Sequence, residues 1–500
     1  MEKQSKPLGF PNMTKKLGLL AVLLGLLTVY MIVAFIRKGT EALGLFLLYV
    51  WVMYKLLCKG FNYSHHYSFP EVHLSNKVLA VMFLVYVVVL GIFAVINDGP
   101  LDRVRSLFGL LVILAMFYFT SNSRASINYR TVVCGLYLQL LLAMFVLKTA
   151  IGKAFFSNLA NIVSLFMDFS KAGLAFVFGK EVAEAKIFAT AVFPAVIFFS
   201  SFIQMLYYLG FMQYVVKHVA KVMVFIMDTS GCESIVAAAS PFVGQGESAL
   251  LVRPFVEFMT KSELHAVMVS GFAAVAGSVL IAFMSFGIDS LSLLTGSVMA
   301  APCSLVFSKL RYPETEESLS KGTVKLPKDE DKQANILDAA GAGAITGVHI
   351  AGVIAGSIIA FISIFELFNS MVGYFCAFVF DHPITIQYLL SFLFQPFSFL
   401  MGVPFDQIPF VSELLGLKLV VNEFAAYIEL SKATVDVRTK LLTTYALCGF
   451  ANVSSIGITI GTIGSIAPTR QHDLAKLGLS AMLTGATCTI VNACIAGILM

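Results

Sequence analysis

Charge is scarce in this chain. Asp, Glu, Lys and Arg make up only 13% of it, against roughly 25% in an ordinary soluble domain, while 58% is hydrophobic and the mean hydropathy is +0.87. Several stretches run about 20 residues almost without charge, the length that crosses a bilayer as a helix. Alternating segments of about ten residues, the mark of a transmembrane β-barrel, are missing. The expected fold class is therefore an all-α polytopic membrane protein. The net charge of +5 is small and spread along the loops, so no nucleic-acid partner is expected. The eight cysteines (58, 134, 232, 303, 376, 448, 488, 494) form no CxxC pair and no cluster with histidine. That argues against a metal centre and against a disulfide framework, and no bound cofactor is expected. His65, His66, His73, His218, His265, His349, His382 and His472 read as lying mostly in loops or near helix ends. No His/Asp/Cys constellation speaks for a membrane-embedded enzyme.

Candidate spanning helices lie near 16–36, 42–58, 77–96, 105–120 and 130–149. The first follows Lys15-Lys16 without a cleavage site and reads as a retained helix. Basic residues at the N-terminus, at 59–77 and at 121–130, set against Asp98 and Asp102 between them, favour a cytosolic N-terminus. The sequon at Asn62 would then face the cytosol unused. The stretch 154–178 mixes polar and apolar residues like a helix lying at the interface. A long apolar run follows at 186–216, with a kink expected at Pro194. Further helices are expected at 262–286, 289–309, 338–357, 357–380, 386–402 and 474–500, with 311–337 as a hydrophilic linker. The Gly and Ala of 338–357 suit close helix packing.

One polar stretch interrupts this pattern: Ser240-Pro-Phe-Val-Gly-Gln-Gly-Glu247-Ser-Ala-Leu-Leu-Val-Arg253-Pro254. A carboxylate at membrane depth is costly, so Glu247 is a candidate functional residue. Gly244 and Gly246 are expected to permit a sharp hairpin, with Pro241 and Pro254 marking helix breaks. A second copy is visible. Gly271-Phe-Ala-Ala274-Val matches Gly449-Phe-Ala-Asn452-Val, and each follows an acidic residue, Glu247 or Glu423, at a similar distance along the chain. Paired copies of a broken hydrophobic unit point to a secondary transporter that binds its solute between the repeats, near the bilayer midplane. Each copy would be a re-entrant hairpin, at 231–255 and 408–432, followed by a helix unwound at its centre. Gln245 and Glu247 from one copy would meet Glu423, Asn452 and Ser455 from the other, with Phe450 offering an apolar face. Carboxylates accept hydrogen bonds from hydroxyls and amines, while Gln and Asn both donate and accept. The set suits a neutral, polyhydroxylated solute bearing a flat polar ring. An anionic solute is disfavoured, because no intramembrane Arg or Lys accompanies it.

At these residues the chain resembles the concentrative nucleoside transporter family. Gly244-Gln-Gly-Glu247-Ser-Ala-Leu-Leu-Val-Arg-Pro-Phe is similar to the family's Gly-Gln-Thr-Glu-Ala/Ser-Pro-Leu-Leu-Ile/Val-Arg-Pro-Tyr. Lys418-Leu-Val-Val-Asn-Glu423-Phe-Ala-Ala-Tyr427 and Tyr445-Ala-Leu-Cys-Gly-Phe-Ala-Asn452-Val-Ser-Ser455-Ile-Gly resemble its other two signatures, and Pro313-Glu-Thr-Glu and Met401-Gly-Val match as well. The likeness runs from about residue 120 to residue 500.

The resemblance implies about 11 transmembrane helices with two re-entrant hairpins, interfacial helices and an inverted internal repeat. It divides the chain into 1–104 (tail and three extra helices), 105–230 (scaffold and start of the core), 231–310 (first hairpin and unwound helix), 311–337 (linker), 338–407 (interfacial and scaffold helices) and 408–500 (second hairpin, unwound helix and last helix). It implies an elevator-like importer of purine and pyrimidine nucleosides, a homotrimer, in the plasma membrane. Gly244, Gln245, Gly246, Glu247 and Val279 would face the nucleobase, and Glu423, Phe450, Asn452 and Ser455 the ribose. Ser240, Val243, Ala274 and Val275 occupy the family's sodium site. There the chain departs from sodium-coupled members, which carry Asn in place of Ser240 and Thr or Ser in place of Ala274. A hard cation needs oxygen ligands, and Ala274 removes one. The co-transported ion is therefore H+ or Na+, with H+ favoured. A nucleoside-gated channel or sensor, or an ordinary sodium-coupled symporter, are the alternatives.

Overall fold

The computed structural model describes residues 75–96, 100–184, 187–321, 333–376, 378 and 385–500. The expected spans at 16–36 and 42–58, the sequon at Asn62, the N-terminal orientation and residues 322–332 of the linker lie outside them. The described residues are helical, with a single isolated bridge between Ser230 and Lys321 as their only β pairing. Among the described residues, six helices are long and apolar enough to cross a membrane, or up to seven if one bent pair counts as a single span. Phe169–Phe178, Ile362–Cys376, Tyr388–Leu400 and Val453–Ile466 are apolar but shorter than a full crossing.

The first helices are α1 (Asn76–Ile96), α2 (Pro100–Phe119), α3 (Tyr129–Lys148) and α4 (Ala150–Phe178). Next come α5 (Phe188–Tyr208) and α6 (Phe211–Met227), which meet at a bend of 78°. Pro194 sits inside α5 without breaking it. The break falls instead at Gly210, whose φ of 76° lies in the left-handed region that glycine alone takes without strain.

The first hairpin begins with α7 (Gly231–Ala239) and returns as two single turns, Glu247–Leu250 and Arg253–Val256. It is followed by α8 (Lys261–Ala273) and α9 (Gly277–Ser285), and then by α10 (Ser290–Arg311). Helix α11 runs from Ile336 to Cys376 without interruption, where two helices were expected. Its residues include no proline and are rich in Ala and Ile, so no proline stops the helix at 357. Helix α12 (Ile386–Leu400) leads to the second hairpin, α13 (Ile408–Val420) and α14 (Glu423–Lys432). Helices α15 (Val437–Leu447), α16 (Val453–Ile466) and α17 (Gln471–Leu499) close the chain.

Side-chain caps start these helices where the chain would otherwise run on. Thr260 and Glu263 form a reciprocal capping box on α8, as Ser230 and Glu233 do on α7. Asp436 caps α15 and Asp289 caps α10. The last helix forms the centre of the core. Asn492, fully buried on it, accepts a hydrogen bond from Gln139 of α3 at 2.6 Å and donates to Gly296 O of α10 at 3.3 Å. Outward-facing residues such as Leu84, Val95, Ile359 and Phe375 remain exposed, as expected of a surface that meets lipid.

The start of the expected linker is folded against the core. Ser318 and Ser320 donate to the buried Glu263 carboxylate, and Glu314 pairs with Lys309 at 3.3 Å. Lys309 in turn pairs with Glu233 of the first hairpin at 2.7 Å. Polar sequence here satisfies buried charge instead of facing water.

Candidate functional site

Four interruptions of helix meet around one cavity of about 210 Å3. They are the tip of the first hairpin (240–246), the turn of the second at Val421-Asn422, the unwound segment 274–276 between α8 and α9, and the segment 448–452 between α15 and α16. The two repeat glycines explain how they come so close. A Cβ on Gly271 would lie 2.6 Å from Gln245 O, and one on Gly449 would lie 2.9 Å from Phe272 O. Each glycine therefore lets one broken backbone rest on another.

Glu247 opens the return of the first hairpin, and its Oε2 accepts from the Gly244 N–H at 3.2 Å. Gln245 Oε1 is buried without a partner. An unpaired buried acceptor is costly, so this oxygen is suited to a solute's donor. Gly244 and Gly246 do not have positive φ, contrary to the sharp-turn expectation. They provide space instead. A Cβ on Gly246 would lie 2.6 Å from Thr462 Cβ, and one on Gly244 would lie 3.1 Å from Glu247 Oε2.

From the second copy, Asn452 caps α16 by accepting from Ser455 N at 2.9 Å and from Ser454 Oγ at 2.7 Å. Its Nδ2 donates to Glu423 Oε2 at 3.0 Å. Both residues are buried, at 2% and 3% exposure. Asn422 plays the same capping part for α14, accepting from Ala425 N at 3.0 Å. The carboxylate and the amide are thus held by the starts of two helices. Phe450, Ser455 and Val279 line the same cavity.

All nine residues expected to face a solute line this cavity. The four cation positions do not. Ser240 Oγ donates to Val236 O at 2.8 Å, and Ala274 and Val275 are buried in the unwound segment. Val243 lines a smaller neighbouring cavity of about 70 Å3, together with Gly244 and Glu247. Among the described residues no group of His, Cys, Asp and Glu could hold a metal ion.

The basic residues need a correction. Lys418 is buried on α13, beside the site in sequence, and donates to Ala446 O at 2.8 Å and Thr489 Oγ1 at 2.9 Å. Cations do lie among the apolar helices, but neither Lys418 nor Lys309 lines the cavity.

Residues 108–181 and 292–497 match the family models described as Na+ dependent nucleoside transporter N-terminus and C-terminus, and 189–290 match the model described as Nucleoside recognition. The mouse Sodium/nucleoside cotransporter 2 is 36% identical over 509 residues, covering 96% of this chain and 77% of that protein. The chain belongs to the Na+ dependent nucleoside transporter family. This is the concentrative nucleoside transporter family of the sequence resemblance, a family of transporters and not of enzymes.

The mouse Sodium/nucleoside cotransporter 1 is 40% identical over 80% of the chain, and human Solute carrier family 28 member 3 is 39% identical over 87% of it. The matched region spans 64% of the length of each of these two relatives. Among solved structures, CNTnw in an inward-facing substrate-bound state is 36% identical with a TM-score of 0.75, covering 80% of this chain and 98% of that one. A substituted CNTnw in an outward-facing state gives a TM-score of 0.77 at 35% identity, covering 80% of this chain and 99% of that one.

Several cavity residues escaped the sequence reading. Ser278 adjoins Val279, Ile458 directly follows the last motif, and Thr462 lies a helical turn beyond it. Helix α11 adds His349, Ile350 and Ile354 from outside both repeats. His349 had been grouped with histidines of loops and helix ends, yet it lies well inside α11. The one available signal was an imidazole within an otherwise apolar run.

Proposed function

We propose that this chain is a cation-coupled nucleoside symporter. The observation that carries the reading is the meeting of Glu247 and Gln245 with the Glu423–Asn452 pair at one cavity lined by four helix breaks. Gly244, Gln245, Gly246, Glu247 and Val279 receive the nucleobase, whose polar edge needs both acceptors and donors. Glu423, Asn452 and Ser455 receive the ribose hydroxyls, with Phe450 against the sugar. Two carboxylates and no lining Lys or Arg favour a neutral solute over an anionic one. The names of the relatives, sodium/nucleoside cotransporters, support the same substrate class.

In this reading the two hairpins and their unwound helices, within 231–310 and 408–500, form the moving part. Helices of 105–230 and 338–407 form a scaffold, three copies of which assemble in the plasma membrane with the N-terminus in the cytosol. Movement of the hairpins against the scaffold gives elevator-type alternating access. Hairpin tips held by caps and glycine contacts suit movement as a rigid unit.

Two supports diverge on the coupling ion. The names of the relatives favour Na+. Ser240 and Ala274 favour H+ or a weakened sodium dependence, because Ala274 offers no side-chain oxygen and the Ser240 hydroxyl already donates to Val236 O. Uptake of radiolabelled uridine and adenosine into oocytes tests both levels. Accumulation against a gradient, lost in Glu247→Ala and Glu423→Ala, is the expected result; full uptake by both variants refutes the site. Replacing sodium with choline at about pH 5.5 and about pH 7.5, either side of ordinary histidine titration, decides the ion. Collapse of uptake at both pH values excludes proton coupling.

A further inference from the structure

We propose that His349 is a solute-facing residue of this transporter, supplied by the scaffold helix, and that its protonation tightens nucleoside binding. The inference rests on the transporter reading above and names a residue that neither repeat contains. His349 lines the same cavity as Glu247 and Glu423 and is exposed instead of being packed away. Its placement follows from helix spacing. Gly343, Thr346 and Ile350 on α11 line the smaller cavity beside Glu247, while His349, Ile350 and Ile354 line the main one. Residues three and four apart share a helix face, so this face of α11 is turned to the site.

The helix is also held firmly there. A Cβ on Gly347 would lie 2.6 Å from Ile197 Cα, and one on Gly343 would lie 2.6 Å from Ser200 O. Those glycines seat α11 directly on α5, so the imidazole has no room to retreat with its backbone.

The cavity has an excess of acceptors. Glu247, Glu423 and the unpartnered Gln245 Oε1 all accept. A nucleobase carries ring nitrogens and carbonyls that need donors; Gln245, Ser278, Asn422 and Ser455 can donate as neutral groups, but no lining residue other than His349 can donate as a cation. As an imidazolium it donates from both nitrogens. The titratable groups that face it across the cavity are Glu247 on the first hairpin and Glu423 on the second. Helices α9 and α16 carry no acidic or basic residue, and α5 carries only Tyr207 and Tyr208 as titratable groups. On α11 itself Asp338 and Glu366 lie several turns away. A positive imidazole therefore meets two carboxylates and no competing cation, and its hydrogen bond to the base becomes charge-assisted, roughly twice as strong as a neutral one.

The test compares wild type, His349→Gln and His349→Ala in oocytes. The KM for uridine and adenosine is measured at about pH 5.5 and about pH 7.5 in constant saturating sodium, with surface expression quantified. We expect the wild-type KM to fall about fivefold at the acid pH, which is about 1 kcal/mol. His349→Gln keeps a donor without the charge, so its KM should be flat with pH and near the wild-type value at the higher pH. His349→Ala should be flat and raised. Vmax per surface transporter should stay unchanged throughout, which a merely structural role would not produce. A wild-type KM independent of pH overturns the proposal, and so does a His349→Ala variant that keeps the wild-type KM or its pH dependence. Absence of nucleoside uptake by the wild type overturns the transporter reading itself, and this one with it.

Discussion

Asn452 both caps a helix and holds Glu423 at the cavity, and its two roles can be separated by substitution. Its Oδ1 caps α16 and its Nδ2 donates to Glu423 at 3.0 Å. Asn452→Asp keeps a good cap but replaces the donor with a second carboxylate at the same contact. Two carboxylates so placed cannot both stay ionised without strong repulsion. Asn452→Ser keeps a cap but loses the Nδ2 amide that reaches Glu423. A hydrogen bond to a charged group contributes about 1.5–3 kcal/mol, or about a 10- to 100-fold change in binding. The expected KM for uridine in both variants is therefore raised by about that factor near pH 7.5. Near pH 5.5 the Asp variant should recover in part, because a shared proton restores a donor between the carboxylates. The Ser variant should show only the roughly fivefold acid improvement expected of wild type. Uptake kinetics normalised to surface expression provide the assay. A wild-type KM in Asn452→Asp near neutral pH, or equal losses with no acid recovery beyond that of wild type, refutes the reasoning.

Gly246→Thr should reduce uptake, because a Cβ there would lie 2.6 Å from Thr462 Cβ; overpacking costs about 1–3 kcal/mol, and adding Thr462→Ala should recover much of the loss in a double-mutant cycle. Lys309→Met should lower the melting temperature of the purified protein, since Glu233, 1% exposed, loses its partner at 2.7 Å. Breaking such a pair costs about 3–5 kcal/mol, and Lys309→Met with Glu233→Gln should melt closer to wild type. Gly210→Ala forces a side chain into a φ of 76° at the bend between α5 and α6. It should destabilise the protein by about 1–2 kcal/mol while leaving the uridine KM unchanged, because Gly210 lies outside the cavity lining.

How much was legible depends on where each signal resides. Glu247 and Glu423 were visible because a carboxylate is expensive in an apolar run, and Asn452 because it stands in the second copy of a repeat. The unwound segments were visible for the same reason. The glycines of the first hairpin were visible, but their purpose was misread. Gly246 leaves room for Thr462, a residue far along the chain, and no local pattern encodes that contact. The break at Gly210 was assigned to Pro194, because proline is the stronger local signal. Helix α5 accommodates that proline, while the left-handed glycine turns the chain. Pro313-Glu-Thr-Glu was read as soluble because its composition is polar. Its Glu314 pairs with Lys309, and Ser318 and Ser320 just beyond it donate to Glu263; the burial of Lys309 and Glu263 is a property of the fold.

Composition and periodicity alone determined that this is a helical membrane protein. The repeat and its motifs pointed to the two hairpins and to residues that line one cavity, because those signals are local and expensive to place by chance. Tertiary structure decided the rest. It brought α11 to the cavity, set His349 in the same lining as Glu247 and Glu423, and directed Lys418 toward Ala446 and Thr489, outside that lining. The physical reason is that charge, polarity and backbone freedom are written residue by residue. Which helix face covers a cavity depends on packing between segments hundreds of positions apart.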